Sequence, residues 1–200
     1  MSVLQSLNNE LAGVVEKIRP NLVQIQNKGR NQSGGAGIIW DTDGLIITNA
    51  HVVAPSIKRH RSPTIVLPDG TTSDCEVVAI DNAHDLAALK VSAPNLDAVS
   101  VGDSKSLVSG DWVTAIGHPW GVVGAVTSGM VITVGQSPEI QYEGDLIQVG
   151  LHMRPGHSGG AMVNDQGALI GINCMIAGPD VGLAIPSATV KQFVKQLRAA

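Results

Sequence analysis

Residues 35–53 read Gly35-Ala36-Gly37-Ile38-Ile39-Trp40, then Asp41-Thr42-Asp43-Gly44, then Leu45-Ile46-Ile47-Thr48-Asn49-Ala50-His51-Val52-Val53. Two apolar, β-branched runs flank Asp43-Gly44, the strongest short-range signal for a hairpin. Working outward, the same grammar repeats on both sides. Val23-Gln24-Ile25-Gln26 alternates, and Ile65-Val66-Leu67, Pro68-Asp69-Gly70 and the run Cys75 to Ile80 predict another hairpin. Leu86 to Val91 makes the next strand. After a weakly periodic stretch over 92–110, strands are expected at Trp112–Ile116, Val126–Val134, Asp145–Val149, Ala161–Val163, Ala168–Ile172 and Val181–Ile185. Roughly six strands per half predicts two small antiparallel barrels or sandwiches.

Composition agrees with this and sets bounds. The 200 residues are 44% hydrophobic and 15% charged, which excludes a disordered chain. Thirteen Lys and Arg against 17 Asp and Glu leave a net charge of −4, which argues against a general binder of nucleic acid or anionic membranes. Three Trp, one Tyr and one Phe are too few rings to fill a core, so the core must be aliphatic. The 23 glycines and 10 prolines fit many tight turns. No apolar run approaches the length of a membrane span.

Helices are expected at the two ends. Leu4, Leu7, Leu11, Val14, Val15 and Ile18 recur at steps of three and four, with Ser2 and Gln5 spaced as a capping box and Pro20 as the stop. Val190, Phe193, Val194 and Leu197 share one face of a closing helix, with Ser187 as its N-cap. The expected organisation is a helix over 1–19, a β-unit over 20–105, a second over 106–186 and a helix over 187–200. Cys75 and Cys174 stand 99 positions apart in apolar stretches and read as buried free thiols. Lys58-Arg59-His60-Arg61 reads as a solvated loop.

Three places carry the residue types of nucleophilic catalysis. Pro155-Gly156-His157-Ser158-Gly159-Gly160 runs directly into Ala161-Met162-Val163. A nucleophilic serine needs an exposed hydroxyl on a tight turn, with backbone N–H groups converging on the developing oxyanion. Such a serine is inert without a base, and His51, at the end of the strand from Ile46, is the candidate. Asp85 directly opens the apolar run Leu86-Ala87-Ala88-Leu89-Lys90-Val91. Each has a plain structural reading alone: a turn serine, a core histidine, a strand-start cap. Together they give the order His, Asp, Ser, each at the edge of a strand.

Those segments resemble the trypsin-like serine proteases, and within them the HtrA or DegP-like branch. The resemblance also runs through Gly110-Asp111-Trp112-Val113-Thr114-Ala115-Ile116-Gly117-His118-Pro119, Gly171-Ile172-Asn173 and Gly182-Leu183-Ala184-Ile185-Pro186-Ser187, covering about residues 20–197. It implies an all-β fold of two six-stranded antiparallel barrels with the active site in the cleft between them. It also implies the roles: Ser158 attacks the scissile carbonyl, His51 takes its proton, and Asp85 orients His51. The oxyanion site falls on Gly156, His157 and Ser158, with the amides of Gly156 and Ser158 as donors. Members of the branch usually carry Asn where this chain has His157. Six residues before Ser158, where trypsin-type enzymes place an acid selecting basic side chains, stands His152. Met153, Ile172, Cys174 and Met175 then imply an apolar pocket for small or medium aliphatic P1 residues, with His152 beside them.

The expected function is a serine endopeptidase acting on unfolded or regulatory protein substrates. The alternative is a low-turnover peptide-binding or chaperone-like protein on the same fold. No cofactor or metal is expected, since no His-Glu-x-x-His pair or tight His/Asp cluster exists in the sequence. Partners are protein or peptide substrates, with no nucleic acid and no membrane. The N-terminal apolar stripe either builds a homotrimer, as in relatives, or folds back on its own barrel. The loop Asn27 to Gly34 is short. Lacking a basic n-region and an apolar h-region, the chain reads as cytoplasmic as written, and as periplasmic or exported if it is part of a longer protein. No PDZ domain falls within it.

Overall fold

The computed structural model of the protein describes residues 2–27, 34–94, 96–137, 140 and 142–199. Of the short loop expected between Asn27 and Gly34, residues 28–33 lie outside the described residues.

The chain enters through helix α1 (Val3–Ile18), whose N-cap Ser2 accepts the Gln5 amide at 3.2 Å. Val14 and Ile18 are buried against the rest of the molecule. A 3₁₀ turn over Arg19–Asn21, with Pro20 inside it, ends the helix where the proline was expected to.

The first sheet has seven strands: β1 (Leu22–Gln26), β2 (Gly34–Ile39), β3 (Leu45–Thr48), β4 (Thr64–Val66), β5 (Thr72–Asp74), β6 (Glu76–Asp81) and β7 (Leu86–Lys90). Their order across the sheet is β5-β4-β1-β2-β3-β7-β6. The two edge strands are consecutive in the chain, separated only by Cys75, so the sheet curls until its edges meet in one run of backbone. The opening hairpin forms as expected, with Ile38 opposite Ile47 and Ile39 opposite Ile46. Its loop is held by Asp41, whose Oδ1 accepts the amides of Asp43 and Leu45.

The expectation that Cys75–Ile80 pairs with Ile65–Leu67 is corrected. Thr71 closes the turn, donating from its N–H and hydroxyl to Asp69 and accepting Leu67 N–H at its carbonyl. The strand therefore resumes at Thr72, and β6 pairs with β7 instead.

The second half closes fully. Strands β8 (Trp112–Gly117), β9 (Ala125–Gly135), β10 (Leu146–Gly150), β11 (Ala161–Val163), β12 (Leu169–Gly178) and β13 (Val181–Pro186) form a barrel in the order β10-β13-β12-β11-β8-β9. β12 runs six residues past the expected end at Ile172. Helix α3 (Ser187–Ala199) then packs Val190, Phe193 and Val194 into a core shared by both halves. Ser187 does not act as its cap: its Oγ donates to the Gly102 carbonyl, and the Ala188 amide donates to Ser104 Oγ. Both cysteines are buried thiols, and Cys75 Sγ donates to the Pro63 carbonyl.

One helix was missed. The run Ala50-His51-Val52-Val53-Ala54-Pro55-Ser56-Ile57 continues the apolar pattern of β3 in the sequence, yet it forms α2 (Ala50–Ile57). His51 therefore lies in the first turn of a helix and not at a strand end. Buried Asn27 holds this helix to the sheet: its Nδ2 donates to the Val52 carbonyl at 2.8 Å, and Ser56 Oγ donates to its Oδ1 at 2.6 Å.

Candidate active site

Asp85 stands immediately before β7 with φ of +50°, a left-handed conformation uncommon outside glycine. Held this way, its carboxylate meets the start of α2 twice. Oδ2 lies 2.7 Å from His51 Nδ1, and Oδ1 accepts the His51 backbone N–H at 3.0 Å. A carboxylate at a helix N-terminus also suits the positive end of the helix dipole. The contact fixes the ring orientation and leaves Nε2 as the unprotonated nitrogen whenever Nδ1 carries the proton. The His51 side chain is half exposed at 49%, while Asp85 is mostly covered at 19%. The imidazole is thus open to solvent and the carboxylate stands behind it.

Ser158 arrives from the other half. Its carbonyl accepts the Ala36 amide of β2 at 2.8 Å, and the next amide, Gly159 N–H, donates to Asn49 Oδ1 at 2.7 Å and to the Asn173 carbonyl at 2.8 Å. The loop of Ser158 is thereby stitched to β2 and to the N-terminus of α2, the helix that carries His51. Ser158 Oγ donates to the Cys174 carbonyl at 3.0 Å. That carbonyl is available because the β12–β13 register shifts between Asn173 and Met175. No hydrogen bond from Ser158 Oγ to His51 exists among the described residues, so the hydroxyl rests on the Cys174 carbonyl.

The turn before it runs Arg154-Pro155-Gly156-His157. Gly156 has φ of +105°, and a Cβ there would press on His118 O and the Pro119 backbone. The His157 N–H donates to the Arg154 carbonyl at 3.0 Å, which takes this amide out of the oxyanion set. Its buried ring braces the turn instead, Nδ1 accepting the Arg154 amide at 3.2 Å. Burial holds the His157 ring below the ordinary histidine value. The amides of Gly156 and Ser158 donate to no group among the described residues, whereas those of His157, Gly159 and Gly160 are all engaged.

Beside Ser158 lies a pocket of about 240 Å³ lined by Met153, Arg154, Pro155, His157, Ser158, Cys174, Met175 and Ile176. Met153, Cys174 and Met175 are where the sequence put them. His152 and Ile172 are not among the lining residues. His152 pairs with Asp180 at 2.8 Å in an adjoining, open depression, and Ile172 is wholly buried in the core. Ile176, Arg154 and Pro155 were missed. The lengthened β12 was the absent signal for Ile176.

A family profile described as a trypsin-like peptidase domain matches residues 35–172. The chain belongs to the trypsin-like peptidases. It is 40% identical over 170 residues to a probable periplasmic serine endoprotease DegP-like of Brucella suis, covering 82% of this chain and 32% of that protein. Over 200 residues it is 36% identical to the serine protease HTRA1B of Danio rerio, covering 94% of this chain and 41% of that one. The structure of the HtrA-type protease AlgW with a tripeptide superposes with a TM-score of 0.85 at 33% identity, over 93% of this chain and 62% of that one. The chain spans only about a third of the Brucella relative and two-fifths of the zebrafish one. All three, like the sequence, point by their names to the HtrA or DegP-like branch of the trypsin-like family. Among the described residues, no helix is long and apolar enough to cross a membrane.

Proposed function

We propose that this chain is the catalytic unit of a serine endopeptidase in which Ser158 is the nucleophile, His51 the general base and then acid, and Asp85 the residue that orients and charges against His51. The observation that carries the reading is the doubly bonded His51–Asp85 pair facing a serine on a loop sewn to the same helix. Before attack, Ser158 Oγ leaves the Cys174 carbonyl and rotates onto His51 Nε2. Proton transfer to His51 accompanies attack on the substrate carbonyl, and the imidazolium is stabilised by Asp85. The Gly156 and Ser158 amides stabilise the oxyanion, and His51 returns the proton to the leaving amine.

The pocket supports an aliphatic P1 residue of small or medium size. Sulfur and aliphatic carbon dominate its lining, and among the described residues no carboxylate lines it to pair with Lys or Arg. Met175–Gly178 of β12 pairs only with β13 among the described residues, leaving an edge to which an extended peptide can add as a strand. The edge and the AlgW–tripeptide likeness favour protein or peptide substrates, unfolded or regulatory. The name of the Brucella relative favours an exported compartment over the cytoplasmic one read from the sequence. Exposed Val3, Leu4 and Leu7 on α1 favour assembly through the N-terminal segment, as a homotrimer.

A fluorophosphonate probe tests the core of the reading. The intact protein should be labelled, Ser158→Ala should not, and peptides with Val, Ala or Ile at P1 should be cut in preference to Arg or Lys. An unlabelled intact protein would leave only the low-turnover binding role, and cleavage after basic residues would refute the pocket assignment.

A further inference from the structure

We infer that Asn49 is a positioning residue of this centre, its side-chain amide holding the acid loop and the nucleophile loop in register about the helix that carries His51. The inference rests on the triad proposed above. Asn49 is wholly buried. Its Nδ2 donates to the Asp85 carbonyl at 3.1 Å, and its Oδ1 accepts the Gly159 N–H at 2.7 Å. One side chain thus touches the residue that orients the base and the residue next to the nucleophile, from a position two residues before the base itself.

Its placement is unusual for its type. Asn49 stands at the N-cap of α2, with φ of −82° and ψ of 148°, where asparagine ordinarily turns its oxygen back onto the amides of its own helix. It makes no such bond. Asp85 supplies the cap in its stead: its carbonyl accepts the Ala50 N–H at 3.1 Å and its Oδ1 the His51 N–H at 3.0 Å. Because the acid caps the helix from another loop, the asparagine is released to reach the loop of Ser158. The two bonds it makes need opposite chemistry, a donor toward a carbonyl and an acceptor toward an amide. A side-chain amide of this length supplies both at once, a carboxylate only the second, and an aliphatic side chain neither.

Both partners also have other bonds. The Asp85 carbonyl keeps the Ala50 amide, and the Gly159 amide keeps the Asn173 carbonyl. Truncating Asn49 therefore strands neither group, so the fold should survive while the loops lose their mutual reference. Misplacement of reacting groups by a fraction of an ångström to an ångström costs rate much more than it costs stability.

The test compares Asn49→Ala and Asn49→Asp with the parent chain in peptide hydrolysis, fluorophosphonate labelling rate and thermal unfolding. For Asn49→Ala, kcat should fall about tenfold to a hundredfold with KM within about threefold, and labelling should slow in step. The midpoint of unfolding should move by no more than about 4 °C. Asn49→Asp keeps the Gly159 contact, so it covers the case in which Asn49→Ala does not fold. As a carboxylate it repels the Asp85 carbonyl, and on taking a proton it can donate to it again. Its kcat relative to the parent should therefore rise as pH is lowered from about 8 to about 5, a recovery no merely structural role produces. A kcat for Asn49→Ala within twofold of the parent, or a pH-independent ratio for Asn49→Asp, overturns the inference. A parent chain that takes up no probe overturns the protease reading and this inference with it, so the two failures are told apart by which protein is inert.

Discussion

At the scale of single residues, Gly159 shows how little freedom the loop of Ser158 has. Its φ is +78°, and a Cβ would run into the Ala36 carbonyl and the Thr48 hydroxyl, which are themselves hydrogen-bonded to each other at 2.7 Å. Neither neighbour is a flexible side-chain end that can swing aside. Gly159→Ala combines left-handed strain, about 1 to 2 kcal/mol for a non-glycine residue, with this collision. A loss of about 2 kcal/mol or more in urea unfolding is expected, together with a drop in kcat beyond tenfold, since the displaced segment carries Ser158. Stability and rate equal to the parent would show that the loop yields more easily than its packing implies. At this scale the sequence offered His51, Asp85 and Ser158 as candidates by residue type and order, and the structure brings His51 and Asp85 into contact. Their backbone partners were not legible. The bond from Ser158 to the Cys174 carbonyl depends on a register shift between β12 and β13, and no local pattern encodes which backbone carbonyl a bulge leaves free.

At the scale of elements, the misreadings share a cause. Helix α2 reads as a strand because its apolar residues follow β3 without a polar break, and because Pro55 lies inside it. Its first two amides donate to Asp85, 34 positions beyond His51, and in α3 the Ala188 amide likewise donates to Ser104 Oγ and not to Ser187. Caps borrowed across the chain leave no local signature, whereas Ser2, which caps α1 from the adjacent position, was readable. The turn before Ser158 is an element with a pH dependence of its own. It packs against the loop of His118, whose backbone N–H donates to the Gly156 carbonyl at 2.9 Å. His118 and His157 are both buried, with each Nε2 lacking a partner among the described residues. Burial lowers both, His118 to about 4. Above the unfolded value of about 6.5, both states are neutral and these groups add no pH slope. As pH falls below that, the unfolded chain takes up protons that the folded one refuses, so stability declines until pH passes the folded value, about 4 for His118. The slope is at most about 1.4 kcal/mol per pH unit for each group. His118→Asn keeps an acceptor for the Gly124 amide, now on His118 Nδ1 at 3.2 Å, and removes the titration. Urea midpoints between neutral and acidic pH should then fall less steeply than in the parent, and an unchanged slope would assign the acid sensitivity elsewhere.

At the scale of the whole molecule, the two halves are held together by aliphatic packing that runs through both, as the scarcity of rings required: Ile38, Ile47 and Leu86 from the first sheet share one cluster with Ile116, Leu169 and Ile185 from the barrel. The division into two β halves was legible from turn spacing, but of the two six-stranded barrels expected only the second is a closed barrel: the first half is a curled seven-stranded sheet whose edge strand β5 (Thr72–Asp74) lies where the sequence read as turn. Helix α1 is where the molecule's economy is incomplete. The sequence left two fates for its apolar stripe, and the structure divides them along its length. Val14 and Ile18 fold back onto the core and Lys17 Nζ donates to the Gln166 carbonyl at 3.3 Å, while Val3, Leu4 and Leu7 are 85%, 73% and 47% exposed. Covering such side chains is worth about 1.5 to 3 kcal/mol each, so three of them on each of several copies amount to a substantial share of an assembly interface. The proposed trimer therefore predicts a split response to truncation. Removing residues 1–8 should lower the sedimenting mass to that of a single chain while leaving the unfolding midpoint of the resulting monomer intact, because Val14 and Ile18 remain in place. Replacing Ile18 with Ala should do the reverse, costing about 2 to 5 kcal/mol of stability through the cavity it leaves and sparing the assembly. If the shortened chain keeps the mass of the parent, the exposed end of α1 does not build the assembly.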